Sequence, residues 1–229
     1  MRKIRTTQPR SSRRSIIFDM DGTLIDPLLG ITNSYRYMCS TLGIPIMSED
    51  EIRGLIGPSI QDALGEFFKF DQQTLEHAVQ LFRYHYSNHG ILEYRKYPGI
   101  DELLSQLRQN EFDLHIATNK PVIFANRIVQ DAGWQSLFTI VGGSPLDGSI
   151  KGKKDIISSV IQQLPPDESV IAYIGDRPED GPGSLLNGLP FVGVSWGFST
   201  EEQLRLAGAL TVATSMQQLE MAIRDLQTA

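Results

Sequence analysis

The sequence predicts an α/β protein: a Rossmann-like parallel sheet flanked by helices, with an all-helical block inserted after the first strand. Three observations carry this. The run from Ser15 to Phe18 is apolar on both faces, as a buried central strand is and a half-exposed strand is not. From Tyr97 onward strand and helix patterns alternate, which signals a parallel sheet with crossover helices. Between them, from about residue 28 to 94, the patterns are helical and no convincing strand interrupts them.

The elements follow in order. Arg2, Lys3, Arg5, Arg10, Arg13 and Arg14 precede the first acidic residue, and Met1 to Arg14 has almost nothing to bury, so a basic flexible tail is expected over residues 1–14. That segment lacks the apolar stripe of a transit peptide and is too basic for a secretory signal. Helices are expected at 28–42, closed by Gly43, and at 49–56, 60–68 and 72–89. Candidate strands of the second part are 113–117, 139–141, 170–174 and 191–194, with a short edge at 210–212. With 16–18 they make a sheet of five or six. The predicted organisation is therefore a core of 15–27 and 95–229 with a helical block of 28–94, placed to close over a site at the end of the first strand and to exclude water. Leu75, Val79 and Phe82 should form the block's own core.

Length and composition narrow the class. A chain of 229 residues with 41% hydrophobic content can bury a substantial core. No apolar run approaches a membrane span, so no membrane partner is expected and a cytoplasmic location is the default. The net charge of −6 becomes −12 once the six leader cations are set aside. An acidic body argues against a nucleic-acid-binding surface. The single cysteine, Cys39, excludes an intrachain disulfide and reads as a buried thiol.

Every strong polar cluster of the second part falls directly after an apolar run, at the sheet edge where the first strand also ends. Ligands of open α/β sheets bind there. Asp19 ends the first strand in IIFDMDGTL, Asp21 can point toward the same site, and Gly22 lets the backbone bend and bring its N–H close to an anion. An ordinary acidic turn is the competing reading. In LHIATNKPV, Thr118 and Asn119 follow a strand and Pro121 occupies a first-turn position, so a hydroxyl, exposed N–H groups and a helix N-terminus make an anion site. A Thr/Asn cap without a ligand would look the same.

In GGSPLDGSIKGKKDIISSVI, Ile156, Ile157, Val160 and Ile161 lie three, four, seven and eight residues after Lys153. Lys153 therefore faces inward at the first turn, where a cation needs a negative partner. Lys151 and Lys154 read as solvated charges. In VIAYIGDRPEDG, Asp176 follows a strand and Asp180 comes one helical turn later. Two more carboxylates converging on Asp19 and Asp21 repel without a cation, and an all-oxygen hard site indicates Mg²⁺. An acidic surface loop is the alternative.

DMDGT resembles the nucleophile motif of the haloacid dehalogenase-like hydrolases, and the later clusters resemble, in order, the rest of that superfamily's motifs, over nearly the whole chain after the leader. The helical block resembles the family's cap. YPGIDELL, GGSPLDGS and GVSWGFSTEEQLRLAGA are most similar to the phosphoglycolate phosphatase and 5′-nucleotidase branch. GPGS after Asp180 departs from the pattern, which more often has an apolar residue and Gly-Ala. The resemblance implies a Mg²⁺-dependent phosphatase of small phosphorylated metabolites, phosphoglycolate or a nucleoside monophosphate, working through an aspartyl-phosphate as a monomer or homodimer. It implies that Asp19 attacks phosphorus and that Asp21 protonates the leaving oxygen, then activates water. It also implies that Asp19, the Asp21 carbonyl, Asp176 and Asp180 hold Mg²⁺, while Thr118, Lys153 and N–H groups near Gly22 and Asn119 hold the transferring oxygens.

Other readings stay open. A dehalogenase needs no acid two residues after the nucleophile, so Asp21 argues against one. A sugar phosphomutase of the same superfamily is an alternative. A non-catalytic phosphometabolite-binding protein would be expected to have lost one of Asp19, Asp21, Lys153 or Asp176. In the block, Ile56-Gly57-Pro58-Ser59 resembles the cap's substrate-facing loop, and Arg53 could meet a substrate anion; a helix-ending turn and a surface arginine are equally open. His85 and His89 could share a metal on one helix face, but no third ligand is in view and a solvated face is the plainer reading.

Overall fold

The first strand, β1 (Arg13–Phe18), lies at the centre of a computed structural model that describes residues 13–146, 149–150 and 152–228. Ile16, Ile17 and Phe18 are fully buried, as a strand with neighbours on both edges and helices on both faces requires. Arg13 and Arg14 belong to this strand and not to the leader. Arg13 pairs with Asp113 at 3.8 Å and the Arg14 guanidinium lies over the Phe112 ring, so their stems cover the adjacent strand. Residues 1–12 of the expected tail lie outside the described residues.

After β1 the chain forms a two-residue strand, β2 (Ile25–Asp26), passes through the helical block, and returns by β3 (Arg95–Lys96), which pairs antiparallel with β2. This stem has no sequence signature, because two residues carry no period. The block holds α1 (Leu28–Leu42), α2 (Glu49–Gly54), α3 (Ile60–Phe68) and α4 (Gln72–Asn88), then a 3₁₀ turn at Gly90–Leu92. Their ends follow local chemistry. Gly43 closes α1 in the left-handed region, Ser48 and Glu51 form a capping box on α2, and Ser59 and Asp71 cap α3 and α4. Tyr35 of α1 meets Phe82 of α4 with ring centroids 4.9 Å apart. Cys39 is buried, and burial pushes its thiol pKa up.

The remainder alternates: α5 (Ile100–Gln109), β4 (Phe112–Pro121), α6 (Val122–Asp131), β5 (Phe138–Ser144), α7 (Lys153–Ile161), β6 (Glu168–Gly175), α8 (Asp180–Leu185), β7 (Phe191–Val194), α9 (Glu201–Leu206), β8 (Thr211–Ala213) and α10 (Met216–Thr228). Pro121 ends β4 and caps α6, one position earlier than a first-turn proline. Among the described residues, six strands make one parallel sheet in the order β5-β4-β1-β6-β7-β8. Successive strands are laid to one side of β1 as far as β5, and the chain then restarts on the other side at β6. The crevice above the carboxyl end of β1 is thus the topological switch point, where sheets of this kind bind ligands. No described helix is long and apolar enough to cross a membrane.

Candidate active site

Asp19 is the first residue past β1. Its amide donates to Ile174 O at 2.8 Å, pinning it to β6, and its Oδ1 accepts from the Met20 amide at 2.8 Å. Oδ2 lies 2.7 Å from Lys153 Nζ. Lys153 opens α7 with its side chain inward, on the same stripe as buried Ile156, Ile157 and Val160, and Nζ also reaches Asp180 Oδ1 at 2.9 Å. Burial lowers the Lys153 pKa, but Asp180 and Asp19 outweigh it and hold the ammonium above its ordinary value. Lys154 is exposed, and Lys151 lies outside the described residues.

The departure at GPGS has a packing reason. A Cβ at Gly181, the position after Asp180 where the pattern has an apolar residue, would fall 2.0 Å from Ala207 O, so glycine there lets α8 close on the backbone just past α9.

Asp176, just past β6, is fully buried; its Oδ1 accepts from Thr23 Oγ1 at 3.0 Å and its Oδ2 from the Phe198 amide at 2.9 Å. Asp180 Oδ2 accepts from the Arg177 amide at 3.0 Å. Asp19, Asp176 and Asp180 each offer an oxygen within 4.8 Å of the others, the one such group of His, Cys, Asp or Glu among the described residues. Burial, then repulsion from Asp180 and Asp19, lifts the Asp176 pKa well above the carboxylate range. Burial also lifts Asp180, against the pull of Lys153. Three clustered carboxylates, two of them paired to one ammonium, carry with it a net charge of about −2 when ionised, and the donors are hard, anionic oxygens. That set fits a divalent ion of the Mg²⁺ type.

Gly22 stands beside Asp176. Its φ is +83°, and a Cβ would fall 2.1 Å from Asp176 Oδ2, so the glycine is required by the approach of that carboxylate. Its N–H donates to Ile25 O at 2.8 Å and closes the turn. The expected anion-facing amide at Gly22 is therefore already committed, because the backbone bends back on itself there.

The end of β4 supplies Thr118, Asn119 and Lys120. Thr118 is buried, and its Oγ1 accepts from the Lys120 amide at 3.3 Å. Asn119 Nδ2 donates to Gly57 O at 2.9 Å, fastening the block to the core. Lys120, which the sequence reading passed over, places Nζ 2.8 Å from Asp21 Oδ2 and 2.6 Å from the Tyr86 hydroxyl of α4. A signal existed: strand alternation puts residues 118 and 120 on one face. Asp21 Oδ1 is buried and has no hydrogen-bond partner among the described residues. Burial raises the Asp21 pKa, and Lys120 opposes it.

These side chains face a cavity of about 90 Å³ between the strand ends and the helical block. Asp19, Asp21, Thr118 and Asn119 line it from the core, and Gly57, Tyr35, Phe82 and Arg83 from the block. Arg53 does not line it. It is exposed on α2 and paired to Glu49 at 2.9 Å, because the one-turn spacing from Glu49 directs it along the helix surface. Arg83 is the cation that the block brings to the cavity. His85 is half-buried, with its ring stacked on Tyr37 at 5.0 Å and Nδ1 3.1 Å from Ser34 Oγ, so it packs on α1, while His89 is exposed as a solvated face requires.

Known proteins resemble this chain in sequence and fold. The family model described as haloacid dehalogenase-like hydrolase matches residues 16–194. A 5′-nucleotidase of Pseudomonas aeruginosa is 34% identical over 191 residues, covering 83% of this chain and 86% of the relative. A phosphoglycolate phosphatase of Psychrobacter arcticus is 29% identical over 206 residues, covering 84% and 88%. The solved structure of a predicted phosphatase from Clostridium acetobutylicum superposes with a TM-score of 0.86 at 33% identity, over 94% of this chain and 100% of that one. With strand-end carboxylates at the switch point and a match running from β1 to β7, the chain belongs to the haloacid dehalogenase-like hydrolases.

Proposed function

We propose that this protein is a Mg²⁺-dependent phosphatase that hydrolyses monoesters of small phosphorylated metabolites. One observation carries the reading: Asp19, Asp176 and Asp180 cluster at the switch point, Lys153 pairs with Asp19 and Asp180, and Asp21 lies on the cavity wall beside them. The names of the relatives, a 5′-nucleotidase and a phosphoglycolate phosphatase, support the same reaction class. Phosphate monoesters hydrolyse so slowly unaided that enzymes accelerate them by up to roughly 10²¹-fold, and a covalent intermediate is one way to divide that barrier.

Asp19, Asp176 and Asp180, with the Asp21 carbonyl, would hold Mg²⁺, which when bound neutralises charge on the transferring oxygens and on the carboxylates. An Asp19 carboxylate oxygen attacks phosphorus. The bond to the ester oxygen breaks, and the proton of Asp21 passes to that oxygen as it leaves. A water molecule then attacks phosphorus, giving its proton to the Asp21 carboxylate, and the bond to Asp19 breaks to release inorganic phosphate. Burial of Asp21 favours the acid needed in the first half, while Lys120 favours the base needed in the second. Lys153 and Thr118 stabilise the charge on the transferring oxygens.

Phosphate release from p-nitrophenyl phosphate and from a metabolite panel tests the reading. Release should require Mg²⁺, stop with EDTA, and fall by at least about 10³-fold in Asp19→Asn. Metal-independent release, or full activity in Asp19→Asn, overturns it.

A further inference from the structure

We propose that Arg83 reads a second anionic group on the substrate, so that the preferred substrates are short phosphate monoesters that also carry a carboxylate or a second phosphate. The inference rests on the phosphatase reading above and adds the substrate class. Arg83 lies on α4 and lines the cavity that holds Asp19 and Asp21. It also lines the wider groove of about 620 Å³ that leads past Asn119, Ser144 and Lys153.

Its bonding state sets it apart from the other cations of the site. Lys153 has Asp19 and Asp180, Lys120 has Asp21, and Arg177 has Glu179. Arg83 has no ion pair among the described residues. Its Nε is buried without a hydrogen-bond partner there, and Nη1 makes one long contact, 3.4 Å to Leu146 O. Burial alone moves its pKa, and moves it down. A guanidinium partly withdrawn from water with no counter-charge is costly unless a ligand supplies one. Its planar fork matches carboxylate or phosphate oxygens in a bidentate way.

The surroundings define the rest of the ligand. Ile31, Tyr35, Ile56 and Phe82 give the block side of the cavity an apolar wall, so a second charge on the substrate finds Arg83 and little else to answer it. The cavity of about 90 Å³ is far below the roughly 300–1,000 Å³ of pockets that take drug-sized ligands. The ligand proposed is therefore a short body carrying a phosphate at Asp19 and a second anion at Arg83; a nucleoside monophosphate lacks that second charge.

The test uses the full chain with Mg²⁺ and four substrates: 2-phosphoglycolate, ethane-1,2-diol bisphosphate, the uncharged-tail analogue 2-hydroxyethyl phosphate, and adenosine 5′-monophosphate. The wild type should prefer the first two, and their ratio separates carboxylate from phosphate as the second anion. Arg83→Met should lower kcat/KM for those two by about 10- to 100-fold, mainly through KM, and change 2-hydroxyethyl phosphate by less than about threefold. Arg83→Lys should restore part of the loss. An equal loss on all four, no loss on any, or adenosine monophosphate as the best substrate with Arg83→Met unaffected would overturn the proposal. Calorimetric binding of 2-phosphoglycolate and 2-hydroxyethyl phosphate to Asp19→Asn, with and without Arg83→Met, separates the two layers. Discrimination in binding without phosphate release sinks only the phosphatase reading, and release without discrimination sinks only the role of Arg83.

Discussion

Lys120 stands between the acid and the cap: its Nζ is 2.8 Å from Asp21 Oδ2 and 2.6 Å from the Tyr86 hydroxyl. A charge so placed stabilises Asp21 as a carboxylate, the form that must take a proton from water in the second half of the proposed reaction. Lys120→Met should therefore slow breakdown of the aspartyl-phosphate more than its formation. Quenched-flow assays should show a burst of product followed by a steady rate about 10- to 100-fold below wild type; an unchanged steady rate would refute the role. Asp19, Asp21, Lys153 and Asp176 were legible residue by residue, because each follows an apolar run or starts a helical stripe. Arg53 and Arg83 were not distinguishable in that way. Both are arginines on amphipathic helices, and only the docking of α4 over the strand ends makes one of them part of the cavity.

Among the elements, the turn after β1 shows how tightly the site constrains its support. Thr23 Oγ1 and the Phe198 amide both donate to Asp176, and Gly22 fits beneath that carboxylate with φ +83°. Gly22→Ala would combine left-handed strain with a clash against a side chain held by two hydrogen bonds. The expected cost is about 2–4 kcal/mol in urea unfolding, with loss of Mg²⁺-dependent turnover; a variant as stable and active as wild type would contradict it. The end of α1 was legible in the sequence at Gly43, whereas the caps at Ser48, Ser59 and Asp71 are seen in the structure. The β2–β3 stem was not legible. Its partners lie about 70 residues apart, and its two-residue strands carry no pattern.

Across the whole molecule, one buried pair couples the sheet to pH. His115 Nε2 in β4 lies 2.7 Å from Glu168 Oε1 in β6, with both side chains almost completely buried and His115 Nδ1 unpartnered among the described residues. Burial lowers the His115 pKa despite the opposing pull of Glu168 and Asp113. The unfolded chain, with a histidine pKa near ~6.5, then binds a proton that the folded chain refuses. Stability from this group is complete above about pH 6.5 and declines as pH falls from there toward the folded pKa, by at most about 1.4 kcal/mol per pH unit. Thermal melts between pH 5 and 7 should show this slope in the wild type and a smaller one in His115→Gln, which keeps a donor for Glu168. Equal slopes would assign the effect elsewhere. The sequence alone determined the strand and helix alternation, the position of each strand-end carboxylate and the family resemblance, since near neighbours and short periods dictate all of these. The tertiary structure decided which cations meet the cavity, that the Gly22 amide is spent on a turn, and that two of the three clustered carboxylates share one lysine. Those outcomes depend on pairs such as Thr23 with Asp176 and Lys120 with Tyr86, whose meeting is fixed by packing between distant segments and by no local pattern.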